Sequence, residues 1–440
     1  MKRNNLILII PLLLFFICIK PHDVSGQTIS NDSISLETII KQVVLQHPSI
    51  QSAVEALNAA DSRIALAKSA LHPVVDGEAS YTRIGPVPSI SMPGLGSFDM
   101  APANVYNASI NYYQNLFDFG KSDSEIAIEK ESKELLKMNI EQVKQKLATN
   151  TVNSFYTLAF LQESLRIKDN QLNTLNAHLT FVEKRKETGS ATQFEVLTTK
   201  VKISATESQK LDIITAIKIQ QSFLNTLMGR PERTSFTVKP SLGLLLNAIP
   251  TDSLVSYAIN HRDEIKINKE KTTIAELRLK STKTQLNPVV SAYASAGGKD
   301  GYFPSLNAPK ANFTAGLGLK VPIFDAYRNK NSQLQAKSSI ISSQLDTEVA
   351  KRNVINEVVE NDANLIAALK KIEQFKMQLL QAQEALSLAE TSYQNGSVTN
   401  LDLLDATTSL SESKLLLLKA KIDYAVGQYR LKVSLGDQLY

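Results

Sequence analysis

Across 440 residues, 48 Lys and Arg stand against 43 Asp and Glu, and the formal charge of +5 is diluted because Lys and Glu interleave. No basic run follows the N-terminus, which excludes a nucleic-acid grip built from clustered cations. Cys18 is the only cysteine and lies in the first apolar stretch, so a chain that has lost this stretch has no disulfide, thiolate metal site or thiol nucleophile.

Residues 1–26 have the layout of a secretory signal. Lys2 and Arg3 come first, an apolar stretch runs from Leu6 to Ile19, and small residues stand at Val24 and Gly26. The stretch is short for a transmembrane anchor and is broken by Pro11. A lipidation signal needs small residues before its cysteine, and Phe15, Phe16 and Ile17 precede Cys18 instead.

The mature chain then reads as one pattern written twice, over 27–229 and 252–440, with a connector at 230–251 marked by Pro231, Pro240 and Pro250. The first copy predicts a helix at 36–70, alternating segments at 76–84 and 105–116, a very long helix at 121–187 and a returning helix at 193–228. The second predicts 252–285, 289–297, 311–322, 328–394 and 400–435 in the same roles. The stretches 85–104 and 297–310 read as Pro/Gly loops between paired strands. Thr188-Gly189-Ser190-Ala191-Thr192-Gln193-Phe194-Glu195 returns as Asn395-Gly396-Ser397-Val398-Thr399-Asn400-Leu401-Asp402, and Leu116-Phe117-Asp118 returns as Ile323-Phe324-Asp325. A duplication in fixed order means one architecture built twice.

The first long helix carries a 3/4 spacing of apolar residues from Ile140 through Leu147, Leu158 and Leu172 to Val182, and Thr151, Ser154 and Lys168 occupy the seam without shifting its register. At 1.5 Å per residue such a helix reaches about 100 Å, several times a bilayer core, and no mature stretch is apolar enough to cross as a helix. The helices are therefore expected to be water-facing rods. The shorter helices, stacked in pairs, would match the long ones in length, giving a curved wall of rods. The segment 312–321 alternates Phe, Ala, Leu, Leu, Val with Asn, Thr, Gly, Gly, Lys, and Tyr106, Ala108, Ile110 and Tyr112 alternate with polar neighbours. Period 2 with one apolar face fits a lipid-exposed barrel strand or a soluble sheet packed on a core; the secreted, rod-like context favours the barrel. Four strands cannot close a barrel, so an oligomer must; three chains give twelve strands, and four chains also satisfy the arithmetic.

With Val321-Pro322-Ile323-Phe324-Asp325 at a strand-to-helix junction and Tyr393-Gln394-Asn395-Gly396-Ser397-Val398-Thr399-Asn400-Leu401-Asp402-Leu403-Leu404-Asp405-Ala406 at a hairpin tip, the chain resembles the TolC-like outer membrane efflux proteins. The resemblance covers nearly all of the mature chain. It implies a mainly α fold with a small β part: a periplasmic α-barrel below a twelve-stranded trimeric transmembrane β-barrel. It also implies a homotrimer in outer membrane lipid that passes drugs, ions or proteins passively, without a cofactor. A periplasmic adaptor would link it to an inner-membrane pump.

The tips read physically as well. Gly189 and Gly396 suit left-handed helix ends, and Thr192 with Glu195 and Thr399 with Asp402 have capping-box spacing. The resemblance implies that Gly189, Ser190, Thr192, Gly396, Ser397 and Thr399 form the adaptor-docking tips. It implies further that Asp402 and Asp405 supply rings of carboxylates at a cation-selective periplasmic gate, with Tyr393 and Glu195 in its latch. A helix-start carboxylate is the competing role for Asp402. The family's arginine after the second tip glycine is replaced by Val398, and Tyr327 stands where the first copy has Gly120.

Nothing in the sequence assembles an enzyme. The five histidines are scattered, Gly316-Leu317-Gly318 lies along a strand rather than in a nucleotide loop, and His47 and His261, at matching places in the two copies, read as helix-capping residues. The rival reading is a periplasmic adaptor or scaffold coiled coil; two hairpins alternating with two strand pairs argue against it.

Overall fold

A computed structural model describes residues 33–94, 96–243, 249–302 and 305–440. The signal expected at 1–26, Cys18 included, lies outside them. The chain begins with β1 (Ser33–Ile34), α1 (Leu36–Gln46), α2 (Pro48–Ser69), β2 (Val74–Arg83), β3 (Ser89–Met92), β4 (Gly96–Asp99) and β5 (Asn104–Phe117). There follow α3 (Lys121–Glu187), α4 (Gln193–Met228) and β6 (Thr237–Val238). The second half repeats the order with α5 (Thr251–His261), α6 (Asp263–Thr284), β7 (Val289–Lys299), β8 (Lys310–Lys320), α7 (Arg328–Gln394) and α8 (Asn400–Leu435).

The two hairpins end where their local chemistry requires. Each of α3 and α7 is 67 residues long, about 100 Å. Each stops before a glycine with φ of +76° (Gly189) or +74° (Gly396), where the amides of Ser190 and Ser397 return to the carbonyls of Arg185 and Ser392 at 2.7 and 2.8 Å. Thr192 and Thr399 then start α4 and α8 with complete capping boxes, the shorter Asp402 serving as well as Glu195. Side chains from α1, α3, α4, α8 and the connector meet in the largest core, around Phe155, Tyr156, Leu158, Leu224 and Met228; smaller clusters run down the rods. The seam also buries Lys168. Loss of water lowers its ammonium pKa first, Glu412 opposes that, Lys202 adds to it, and Gln171 Oε1 accepts from Nζ at 3.0 Å.

The helices predicted at 36–70 and 252–285 are each two helices. Proline has no N–H and disfavours helix at the residue before it, so Pro48 breaks the first at His47 (φ −68°, ψ 128°). The second breaks at Arg262 with the same backbone (φ −63°, ψ 128°) and no proline. Here the buried guanidinium holds the bend, donating to Glu264, to Glu357 and to the Val433 carbonyl. The counterpart of His47 is therefore Arg262, not His261. His47 caps α2 through the Ser49 amide at 3.2 Å, whereas His261 ends α5, stacked on Tyr257.

The sheet runs β2–β5–β7–β8, antiparallel throughout, with β2 and β8 at its edges. Its register sorts the side chains into two faces. One row crosses the sheet as Gly77, Ile110, Ala296 and Phe313, and the next row on that face as Val75, Tyr112, Ala294 and Ala315. The opposite face carries Asp76, Asn111, Ser295 and Thr314, tied by Asn111 Nδ2 to Asp76 at 3.2 Å and by Ser295 Oγ to Asn111 at 2.8 Å. On that face the Tyr293 ring occupies the space over Gly316, where an added Cβ would meet its hydroxyl at 2.6 Å. Two further pairings were not foreseen. Part of the 85–104 loop is a β3–β4 hairpin, and β1 pairs in parallel with β6 in the connector. The connector is itself seated on the rods, with Gln162 and Gln221 both donating to the Phe236 carbonyl.

Candidate functional site

The site is built at three levels: a two-faced sheet, a strand-to-helix junction and the paired hairpin tips. At the junction the repeated Phe-Asp motif acquires a physical reason. The residue before α3 is Gly120 (φ +90°), which offers no side-chain cap, so Asp118 supplies it, accepting from the amides of Gly120 (3.2 Å) and Ser122 (2.9 Å). Asp325 does the same for α7 through the Asn329 amide at 2.7 Å. Tyr327 takes the left-handed conformation (φ +62°) that glycine takes in the first copy, a conformation costing a non-glycine residue about 1–2 kcal/mol.

At the far end, the tip residues Gly189, Ser190, Thr192, Gly396, Ser397 and Thr399 are all exposed. Phe194 and Leu401, at matching places just beyond the two turns, are exposed as well, and nothing in their local spacing had set them apart.

Between the tips, the first hairpin is bound to the second. The Tyr393 hydroxyl donates to Glu195 Oε2 at 2.6 Å. Burial by itself would raise the Glu195 carboxyl, but bonds from Tyr393 and from the Thr192 amide and hydroxyl, with the Arg185 charge nearby, outweigh it and hold the pKa below its ordinary value. The Tyr393 hydroxyl is pushed up, first by burial and then by its bond to the carboxylate, so it remains a donor. Arg185 lies over the rings of Tyr393 and Phe181 at 5.2 and 5.8 Å and donates to the carbonyls of Tyr393 (3.3 Å) and Ser190 (3.1 Å).

A second link runs beside the first. The Asn400 amide nitrogen donates to Thr198 Oγ1, Thr199 Oγ1 and the Glu195 carbonyl, so its oxygen accepts from His178 Nε2 at 2.6 Å. The resemblance had named Tyr393 and Glu195, which the fold brings together; Arg185, His178 and Asn400 beside them were not named for the latch. Val398, partly buried, packs against the apolar cluster of Val182, Val196, Tyr393 and Leu403.

Asp402 and Asp405 are exposed, while Leu403 and Leu404 between them are buried in the seam between hairpins. Asp402 Oδ2 accepts from the Thr399 hydroxyl (2.6 Å) and amide (2.8 Å), which lowers its pKa. Asp405 makes no such cap. Among the described residues no group of three His, Asp or Glu side chains is placed to hold a metal, and no helix is long and apolar enough to cross a membrane.

Comparison with known proteins agrees over the length of the chain. The family model for outer membrane efflux proteins matches residues 39–230 and 258–437. The outer membrane protein TolC of Salmonella enteritidis is 21% identical over 422 residues, covering 94% of this chain and 84% of that protein. The cation efflux system protein CusC of Escherichia coli strain K12 is 21% identical over 402 residues, covering 91% and 86%. The crystal structure of the outer membrane protein VceC from Vibrio cholerae superposes with a TM-score of 0.75 at 20% identity, covering 92% of this chain and 97% of that one. At that identity the superposition establishes the fold.

Proposed function

The chain belongs to the outer membrane efflux protein family, and from that premise we propose that three copies close a twelve-stranded barrel and form the exit duct of an export system. The observation that carries this reading is the sheet. It has two unpaired edges, β2 and β8, one apolar face and one polar face, and it stands on helices none of which, among the described residues, is long and apolar enough to cross a membrane. Pairing β2 of one copy with β8 of the next removes every edge and leaves Asp76, Asn111, Ser295 and Thr314 lining a wet lumen.

In this reading residues 1–26 are a cleaved leader, 27–229 and 252–440 are the two structural repeats, and 230–251 is the equatorial connector. The hairpin tips meet a periplasmic adaptor, and through it an inner-membrane pump that supplies the energy. Tyr393 and Glu195 latch the closed gate, and Asp402 and Asp405 of three copies form two carboxylate rings that concentrate cations. Asp402 serves both as cap and as ring member. The relatives named for cation efflux and for protease secretion differ in what they export, and the cargo here follows from the partners rather than from the duct.

Native mass spectrometry in detergent tests the assembly: a trimer is expected, and a stable monomer or dimer refutes it. Fractionation tests the place, a heat-modifiable outer membrane band being the expected result and a soluble periplasmic protein the refuting one.

A further inference from the structure

The β3–β4 hairpin stands at the end of the sheet away from the helices, because β2 rises from α2 and β5 descends into α3. It continues those two strands through Ile84 N to Ala103 O and Met100 N to Pro88 O, both at 2.8 Å. In its ladder Ile90 pairs with Phe98 and Met92 with Gly96, so Ile90, Met92 and Phe98 share one face. They are 43%, 48% and 49% exposed, and Met100, two residues past Phe98, is 58% exposed. Ser91 and Ser97 occupy the other face. An apolar ribbon of this kind in water needs a partner.

We infer that the partner is the same ribbon of the neighbouring copies, and that the three ribbons meet over the outer mouth as an apolar constriction. The inference rests on the trimeric reading above. Two observations choose this occupant over lipid. Asp99 is the only charged residue from Ile84 to Ala103, whereas segments that lie on an anionic leaflet use Lys and Arg to do so. Reach is the second. A twelve-stranded barrel has a backbone radius of about 12 Å for strands about 4.8 Å apart and tilted about 40°. The ten residues from Ile84 to Pro93 extend about 30 Å, so the ribbon spans the distance to the axis. Because β2 is the edge that meets the next copy, each ribbon begins beside the β8 edge of that copy. Hydrophobic constrictions gate by losing water. The duct would then be closed at both ends by different chemistry, carboxylates and hydrogen bonds below and apolar side chains above.

In a Cys18→Ser background, Phe98→Cys should form covalent dimers under copper-phenanthroline oxidation, while Ser97→Cys on the opposite face should not. A second readout avoids the periplasmic gate. A polar maleimide added from outside should label Ser109→Cys, on the polar face of β5, at least tenfold faster when Ile90→Ser and Phe98→Ser are also present. Native mass spectrometry reports the trimer independently. A trimer with no Phe98→Cys cross-link and unchanged labelling overturns the inference and leaves the trimer standing. Quenching of a bimane on Phe98→Cys by brominated lipid overturns it in favour of the membrane surface.

Discussion

Replacing Tyr393 by Phe tests the link between the hairpins with the least collateral change. The ring keeps its contacts with His178 at 5.2 Å and Arg185 at 5.2 Å and loses only the hydroxyl that donates to Glu195 at 2.6 Å. A hydrogen bond to an ionised group contributes about 1.5–3 kcal/mol when well buried. Glu195 is half-exposed, so solvent screening reduces this to about 1 kcal/mol, a factor of about five in an open–closed equilibrium. Purified Tyr393→Phe protein in planar bilayers should therefore open about five times as often as the parent at neutral pH. Acid should act on the same bond. The folded Glu195 carboxyl titrates below its ordinary value of 4.5, so the link is fully present above that pH and is lost as pH falls through the lower, folded value. The parent should approach the Tyr393→Phe opening rate on acidification. An unchanged opening frequency in Tyr393→Phe at neutral pH would refute the latch assignment for this pair.

Gly396→Val places a β-branched residue at φ +74° with nothing within 4 Å of the new Cβ, so the cost of about 1–2 kcal/mol is purely of the backbone. Adaptor binding by surface plasmon resonance should weaken while the barrel still inserts, and undiminished binding would exclude the tip as the docking site. Asp402→Asn with Asp405→Asn should lower cation selectivity and relieve block by multivalent cations in reversal-potential measurements. Unaltered selectivity would leave Asp402 as a cap alone, and in that case Asp405→Asn by itself should change nothing.

The sequence by itself determined whatever is caused within about ten residues. The ends of α3, α4, α7 and α8 lay in left-handed glycines and capping boxes, and both sheet faces lay in a period of two, because each of these signals is complete locally. The duplication supplied the order of elements. Only the tertiary structure decided how the copies meet. Arg262 bends a helix without proline because Glu357, 95 residues away, and the Val433 carbonyl receive its guanidinium. Arg185 reaches the Tyr393 carbonyl across 208 residues and His178 reaches Asn400 across 222. A repeated pattern tells each hairpin how to fold but not which surface of its twin it will touch. That choice is made by side chains that are ordinary in their own segment and acquire a partner only when the rods lie side by side.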